Sequence, residues 1–425
     1  MSASTRVVLA LMATGMALSP LSTKIAGGVW LLLSVWGVGQ FFSRYSVGPI
    51  AAESFDWSHV TRIWLFACVL STALAAFMLG WWHDPWDGIN AELRLLFAAL
   101  GVHLIVSRRA PLPQWLRCRI TDAVAVACVA AFGCIFVLTL RDPFPRNLLP
   151  ANAIVWALAV AFFLGVLAPM VLSQEASLGR RRWWGLAVLA GSAAILLSQS
   201  RSSLVIFPWM GWLLVDRWRR EHGAWPVARM AGLTAAACVV LAAAWFAPSD
   251  PLRMRVASHD LSKVETASNY NTSMGTRLYL WSLACKGIEE SPWLGIGKKA
   301  RLWRIHHAGE ELPAAEQPRL SYVRTMGHVH NDYLNAALDG GIPGLASLLV
   351  WIGGLLLVAR RAARVDPLAA RQLRGVVFVV AISGLTNVNF AHNYYAVMLA
   401  LVVAVILLGA AFRQPPGLQP AMPMS

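Results

Sequence analysis

The sequence predicts an all-α polytopic membrane protein of about twelve transmembrane helices, with one large helical loop outside the membrane late in the chain. Three observations predict it. Of 425 residues, 57% are hydrophobic and only 13% charged, with a mean hydropathy of +0.57; a water-soluble core cannot absorb that much apolar surface while leaving so few charges for an exterior. The apolar residues gather into runs long enough to cross a hydrocarbon layer of roughly 30 Å. Arginines fall in short clusters in every second loop between those runs.

The runs cover residues 7–19, 26–42, 62–82, 92–107, 121–140, 151–173, 183–199, 203–218 and 226–247, then, beyond a polar stretch, 342–359, 375–389 and 394–412. Arg6 ahead of the first run imitates a secretory signal, but Ser19-Pro20-Leu21-Ser22 has no small-x-small cleavage site, so the first run reads as an uncleaved helix. The clusters are Arg108, Arg109, Arg117 and Arg119; Arg180, Arg181 and Arg182; Arg217, Arg219 and Arg220; and Arg360, Arg361, Arg364, Arg371 and Arg374. The alternate loops, His83-Asp84-Pro85-Trp86-Asp87, Asp142-Pro143-Phe144-Pro145 and Asn387-Val388-Asn389-Phe390-Ala391-His392, are poor in Lys and Arg. The positive-inside rule then places both termini in the cytoplasm and the polar stretch 249–330 across the membrane. The net charge of +15 thus reports topology and implies no nucleic-acid partner. Trp81, Trp82, Trp86, Trp115, Trp183, Trp184 and Trp218 stand near run ends, as interfacial anchors do. The six cysteines are scattered, with only Cys285 in the polar stretch, which excludes a disulfide framework or a Cys-based zinc site.

The chain therefore divides into residues 1–248 with nine transmembrane helices, the loop 249–330, residues 331–413 with three more helices, and a Pro-rich cytoplasmic tail, 414–425, expected to be disordered. A loop of about eighty residues is too long for a structureless connector and should carry short helices of its own. Its clearest helix starts after the capping stretch Asn271-Thr272-Ser273 and runs from Arg277 to Glu289, with Leu278, Trp281, Cys285 and Ile288 on the face expected to meet the membrane domain. The turn Ser291-Pro292-Trp293-Leu294-Gly295-Ile296-Gly297 ends it.

Three cationic or titratable residues stand where neither topology nor a core calls for them. His330 opens His330-Asn331-Asp332-Tyr333-Leu334 at the junction of polar stretch and apolar run, and an imidazole titrating near neutrality is a candidate general base. Arg201 lies in the polar notch Ser198-Gln199-Ser200-Arg201-Ser202-Ser203, on the side the positive-inside bias disfavours. An arginine at that depth is costly unless it lines a wet cavity or meets an anion. Arg277 heads the loop helix. His328 is a rival base two residues from His330, and His392, in the segment that holds Asn389, sits at an external helix junction where it can line the same cavity. Asn331, His328, Asn389 and His392 are the candidate substrate-binding residues. His83, Asp84 and Asp87 could hold a divalent cation, but the cluster is short and lacks a second acidic contribution.

In this order, Arg201-Ser202-Ser203, then Arg277-Leu278-Tyr279-Leu280-Trp281 with Pro292-Trp293-Leu294-Gly295-Ile296-Gly297, then His328-Val329-His330-Asn331-Asp332-Tyr333-Leu334 followed by Gly341 and Gly344, the chain resembles the O-antigen ligase superfamily. That family's histidine motif is His; then Asn, Ser or Gln; nine residues; Gly; two residues; and Gly, Thr or Tyr. His330, Asn331, Gly341 and Gly344 satisfy it. The resemblance covers residues 190 to 410 with motifs and the first 180 in hydropathy only. It implies a fold like that of GT-C-type membrane glycosyltransferases in a bacterial inner membrane, with the active site facing the periplasm. It also implies transfer of a glycan from undecaprenyl pyrophosphate to lipid A-core, without metal or other cofactor. In that reaction Arg201 and Arg277 would clamp pyrophosphate oxygens, His330 would take the acceptor hydroxyl's proton, and Asn331 or Asp332 would orient it. The ligase branch is expected over a polymerase or a protein O-oligosaccharyltransferase because the chain ends soon after its last helix. A non-enzymatic glycan transporter would instead show ionisable residues buried mid-helix and paired helix interruptions.

Overall fold

The computed structural model describes residues 3–42, 57–107, 116–142, 145–223, 232 and 254–411. Among them every regular element is helical. In chain order α1 (Ala3–Leu18), α2 (Thr23–Phe42), α3 (Trp57–Trp82), α4 (Asn90–Ser107), α5 (Leu116–Arg141), α6 (Ala153–Val171), α7 (Leu178–Leu197) and α8 (Ile206–His222) come first. In the polar stretch lie α9 (Met254–Ala267), α10 (Ser273–Glu290) and α11 (Gly297–His306), followed by α12 (Asp332–Ala362), α13 (Pro367–Ser383) and α14 (Asn393–Ala411). Among the described residues α3, α4, α5, α6, α12 and α14 are long and apolar enough to cross a membrane, and the protein is a multi-pass membrane protein. Each predicted apolar run except 226–247 coincides with a helix. That run lies outside the described residues, as do Arg108, Arg109, Trp115, Pro143, Phe144, residues 249–253 and the tail 414–425.

Helices α6 and α14 are apolar on every side and buried along almost their whole length, as a helix with no polar face must be. They form the centre of the bundle, joined by Phe162 against Tyr395, ring centroids 5.4 Å apart. Outer helices keep one apolar face uncovered, with Phe66 and Phe77 on α3 and Leu186 and Leu189 on α7 exposed where lipid would lie. The arginine clusters meet at one end. Arg117 of the first makes a two-pronged pair with buried Asp366, at 2.7 and 3.2 Å, Arg180 lies 3.3 Å from Asp122, and Arg371 lies 3.8 Å from Asp216. Asp366 also caps α13, accepting from Ala369 N at 2.9 Å ahead of Pro367.

Two expectations are corrected. The run 375–389 does not continue as helix to its end: α13 stops at Ser383 and residues 384–392 form a turn. There Gly384 O accepts from Asp332 N at 2.7 Å, and the Asn387 and Asn389 side chains bond one another instead of extending a helix. Helix α10 buries Thr276, Leu280, Ala284 and Gly287, while Cys285 is exposed, so its inner face is rotated from the expected one. Leu280 and Ala284 meet Ile305, Leu320, Val323, Val329 and Leu338 in a second, smaller apolar cluster. Because Leu338 belongs to α12, that cluster fastens the polar stretch to a membrane helix.

Helix α12 is broken at Gly341, whose φ of +56° and ψ of −142° are not helical. The turn after α10 docks on the break: Ile296 N donates to Leu338 O at 2.8 Å and Ile342 N to Pro292 O at 3.2 Å. A Cβ on Gly341 would lie 2.4 Å from Trp293 carbonyl atoms, and one on Gly344 would lie 2.3 Å from Ala336 O. The motif glycines thus permit a left-handed backbone and a close approach that no other residue allows.

Candidate active site

His330 precedes the first turn of α12. Asn331 caps that turn, its Oδ1 accepting from Tyr333 N at 2.9 Å and Leu334 N at 3.0 Å, while its Nδ2 donates to Leu385 O at 3.1 Å. His330 itself has φ +56°, a left-handed conformation costing a non-glycine residue roughly 1–2 kcal/mol. Surrounding bonds enforce it: Val329 N donates to Asn335 Oδ1 at 3.5 Å, and Arg301 donates to Gly327 O. Strain held in this way recurs at functional sites.

The ring of His330 is oriented by a relay of amides. Its Nδ1 lies 3.4 Å from Asn387 Oδ1, a long contact. Asn387 Nδ2 donates to Asn389 Oδ1 at 2.9 Å, and Asn389 Nδ2 donates to Ser383 Oγ at 3.0 Å. With its amide nitrogen turned to Asn389, Asn387 presents an oxygen to the imidazole. In the tautomer protonated on Nδ1 that nitrogen donates to Asn387, which leaves the lone pair on Nε2, 3.4 Å from Met326 Sδ.

The three histidines converge. His328 and His330 have ring centroids 4.5 Å apart, and His328 and His392 6.3 Å. All are half-buried. Burial first, then the Arg277 guanidinium, pushes His330 down to about 4. Burial first, then the other two histidines and Arg301, pushes His328 down to about 3. Burial lowers His392 as well. At neutral pH the group is uncharged beside two arginines, because imidazolium would be both desolvated and repelled.

The arginines arrive on separate elements. Arg277 lies one turn into α10, close enough to His330 to repel its proton. Thr272 caps that helix by accepting from Gly275 N at 3.0 Å. Arg201 opens a 3₁₀ turn, Arg201–Val205, whose Ser202 Oγ shares a 2.9 Å hydrogen bond with Thr386 Oγ1. Thr386 adjoins Asn387, so the Arg201 turn and the His330 relay share one anchor.

Sequence reasoning missed Arg301, Asn387 and Asp339. Arg301 is 4% exposed, and its Nε donates to Asp339 Oδ1 at 2.6 Å. Asn335 Nδ2 donates to Asp339 Oδ2 at 3.1 Å. An aspartate just ahead of the apolar run 342–359 was the available sign, since such a group near membrane depth demands a partner. Asp84 is the structural surprise. Its carboxylate accepts from Lys298 N at 2.7 Å and Lys299 N at 3.2 Å, capping α11 from the α3–α4 loop, while Trp82 Nε1 donates to Leu294 O at 2.9 Å. Its oxygens serve a helix N-terminus. The Asp87 side chain lies outside the described residues. Among the described residues no group of three or more His, Cys, Asp and Glu is arranged to hold a metal ion.

Three segments widely separated in sequence therefore bring cations and uncharged imidazoles to one end of a membrane bundle, an arrangement suited to an anionic leaving group and a hydroxyl nucleophile. Residues 186–349, which carry the Arg201 turn, α10 and His330, match the family model described as O-Antigen ligase. No curated protein matches the chain. Members of that family are membrane glycosyl-transfer enzymes, ligases or polymerases, of lipid-linked glycans in lipopolysaccharide biosynthesis. Over residues 186–349 the chain is therefore similar to the O-antigen ligase family.

Proposed function

We propose that this protein transfers O-antigen glycan from undecaprenyl pyrophosphate to lipid A-core at the periplasmic leaflet of a bacterial inner membrane. The observation that carries the reading is the uncharged His330 held by Asn387 next to Arg277. The sugar–pyrophosphate bond already has a good leaving group. What the enzyme must supply is neutralisation of the departing charge and a base for the acceptor hydroxyl. Arg201 and Arg277 hold the pyrophosphate oxygens through planar N–H forks. His330 Nε2 takes the acceptor proton as the hydroxyl attacks the anomeric carbon and the carbon–oxygen bond to the pyrophosphate breaks. His328 and His392 line the approach, and Asn389 acts on the base through Asn387. Asn331 acts as the cap that sets the direction of His330. The bias of arginine clusters toward the opposite end of the bundle supports a periplasmic site.

Purified protein incubated with undecaprenyl-pyrophosphate glycan and lipid A-core should yield the joined product. His330→Ala should remain folded and lose at least roughly 10²-fold in transfer, the usual scale of a lost general base, whereas His328→Ala should lose far less. Elongation on the carrier alone would instead identify a polymerase, and near-normal transfer by His330→Ala would refute the mechanism.

A further inference from the structure

On the α3–α4 side of α12 lies a cavity of about 320 Å³. Asp84 and Lys298 stand at one end, while Ser71 on α3 and Trp351 on α12 lie deeper in the bundle. Two carboxylates in its wall each have a buried oxygen with no hydrogen-bond partner: Glu92 Oε2 and Asp332 Oδ2. Asp332 is only 6% exposed. The other acids in the wall are satisfied, Asp339 by Arg301 and Asn335 and Asp84 by the start of α11. A buried acceptor without a donor is costly, and ionisable groups at membrane depth face water or a ligand and mark function. The transfer chemistry described above does not use Glu92, and Asn331, not Asp332, supplies the cap beside His330.

The cavity adjoins the histidine site. Asn335 and Arg301 line it and also hold the backbone at Val329 and Gly327, and Ala391 and Asn393 of the wall flank His392. Arg201 and Arg277 do not line it. This wall is therefore mixed in charge, with Arg301 and Lys298 beside the acids, and only Glu92 and Asp332 in it keep an oxygen without a donor. Carboxyl oxygens accept hydrogen bonds from hydroxyls, while Leu95 and Met78 supply apolar wall against which the face of a ring can lie. A volume near the lower end of small-molecule sites, roughly 300–1,000 Å³, suits a small ring system and excludes a long glycan.

Resting on the proposed transfer reaction, we infer that this cavity is the acceptor subsite and that Glu92 and Asp332 receive hydroxyls of an acceptor sugar ring. The test is binding of lipid A-core to the full-length protein in nanodiscs without donor. Glu92→Gln should weaken acceptor binding at least about fivefold, because the amide puts a donor where a carboxyl oxygen accepts. Ala75→Phe, which fills the cavity from α3, should abolish it. Thermal unfolding checks that each variant is folded, and Glu92→Gln alone decides the matter if the phenylalanine variant is not. Binding of the undecaprenyl-pyrophosphate glycan should be unchanged in both. His330→Ala should bind acceptor normally while failing in transfer. Wild-type acceptor affinity in folded cavity variants, or a loss of donor affinity instead, overturns the acceptor site even when His330→Ala is inactive. Transfer surviving in His330→Ala overturns the reaction while leaving the binding result to stand.

Discussion

Lowering the pH perturbs the proposed base most directly. His330 titrates at about 4 in the folded protein, against about 6.5 for an unperturbed imidazole. At pH 5.5 a base of the first kind is about 97% unprotonated, and one of the second kind only about 9%. Because burial and Arg277 both disfavour the charged form, activity is present above the folded value and lost as pH falls through it. The assay is the pH dependence of kcat/KM at low donor concentration, which reports the free enzyme. The acid limb should fall near pH 4, with transfer at pH 5.5 close to its neutral value. Arg277→Gln should move the residual limb upward, since it removes a repelling charge. The limb in kcat should lie above that in kcat/KM, because bound pyrophosphate favours imidazolium. The bound donor thereby strengthens the base that will act on it. A wild-type kcat/KM limb centred near 6.5, or a downward shift in Arg277→Gln, would refute the reasoning.

Arg201→Lys and Arg277→Lys should each lower transfer at least about tenfold despite keeping the charge, because an ammonium cannot reproduce the guanidinium fork; full activity in both lysine variants would reduce the arginines to bulk electrostatics. Transfer should persist in excess EDTA, and Asp84→Ala should keep substantial transfer while costing about 1 kcal/mol of stability through the lost cap on α11, read as a lower thermal midpoint. Loss of transfer in chelator, restored by magnesium or manganese, would put a metal where the arginines are placed.

Hydropathy and arginine spacing were enough to place helices on the described apolar runs and to gather the arginine clusters at one end, because a bilayer imposes its thickness on every crossing segment alike; among the described residues six helices are long and apolar enough to cross it. The Arg201, Arg277 and His330 segments were legible as motifs, with Gly341 and Gly344 as part of the last, but the break at Gly341 was not. Nor were their partners. Asn387 reaches His330 across 57 residues, Asp84 caps α11 across 214, and Arg301 meets Asp339 across 38. The inner face of α10 was misjudged for the same reason: a short amphipathic helix presents several plausible apolar stripes, and only Ile305, Val329 and Leu338 on other elements select one. Local sequence carries the requirements of a segment for helix, cap or span, since these depend on neighbours in the chain. That the imidazoles are uncharged and which carboxyl groups lack a donor depend on burial and on groups brought from distant segments, and these were decided only when the helices packed together.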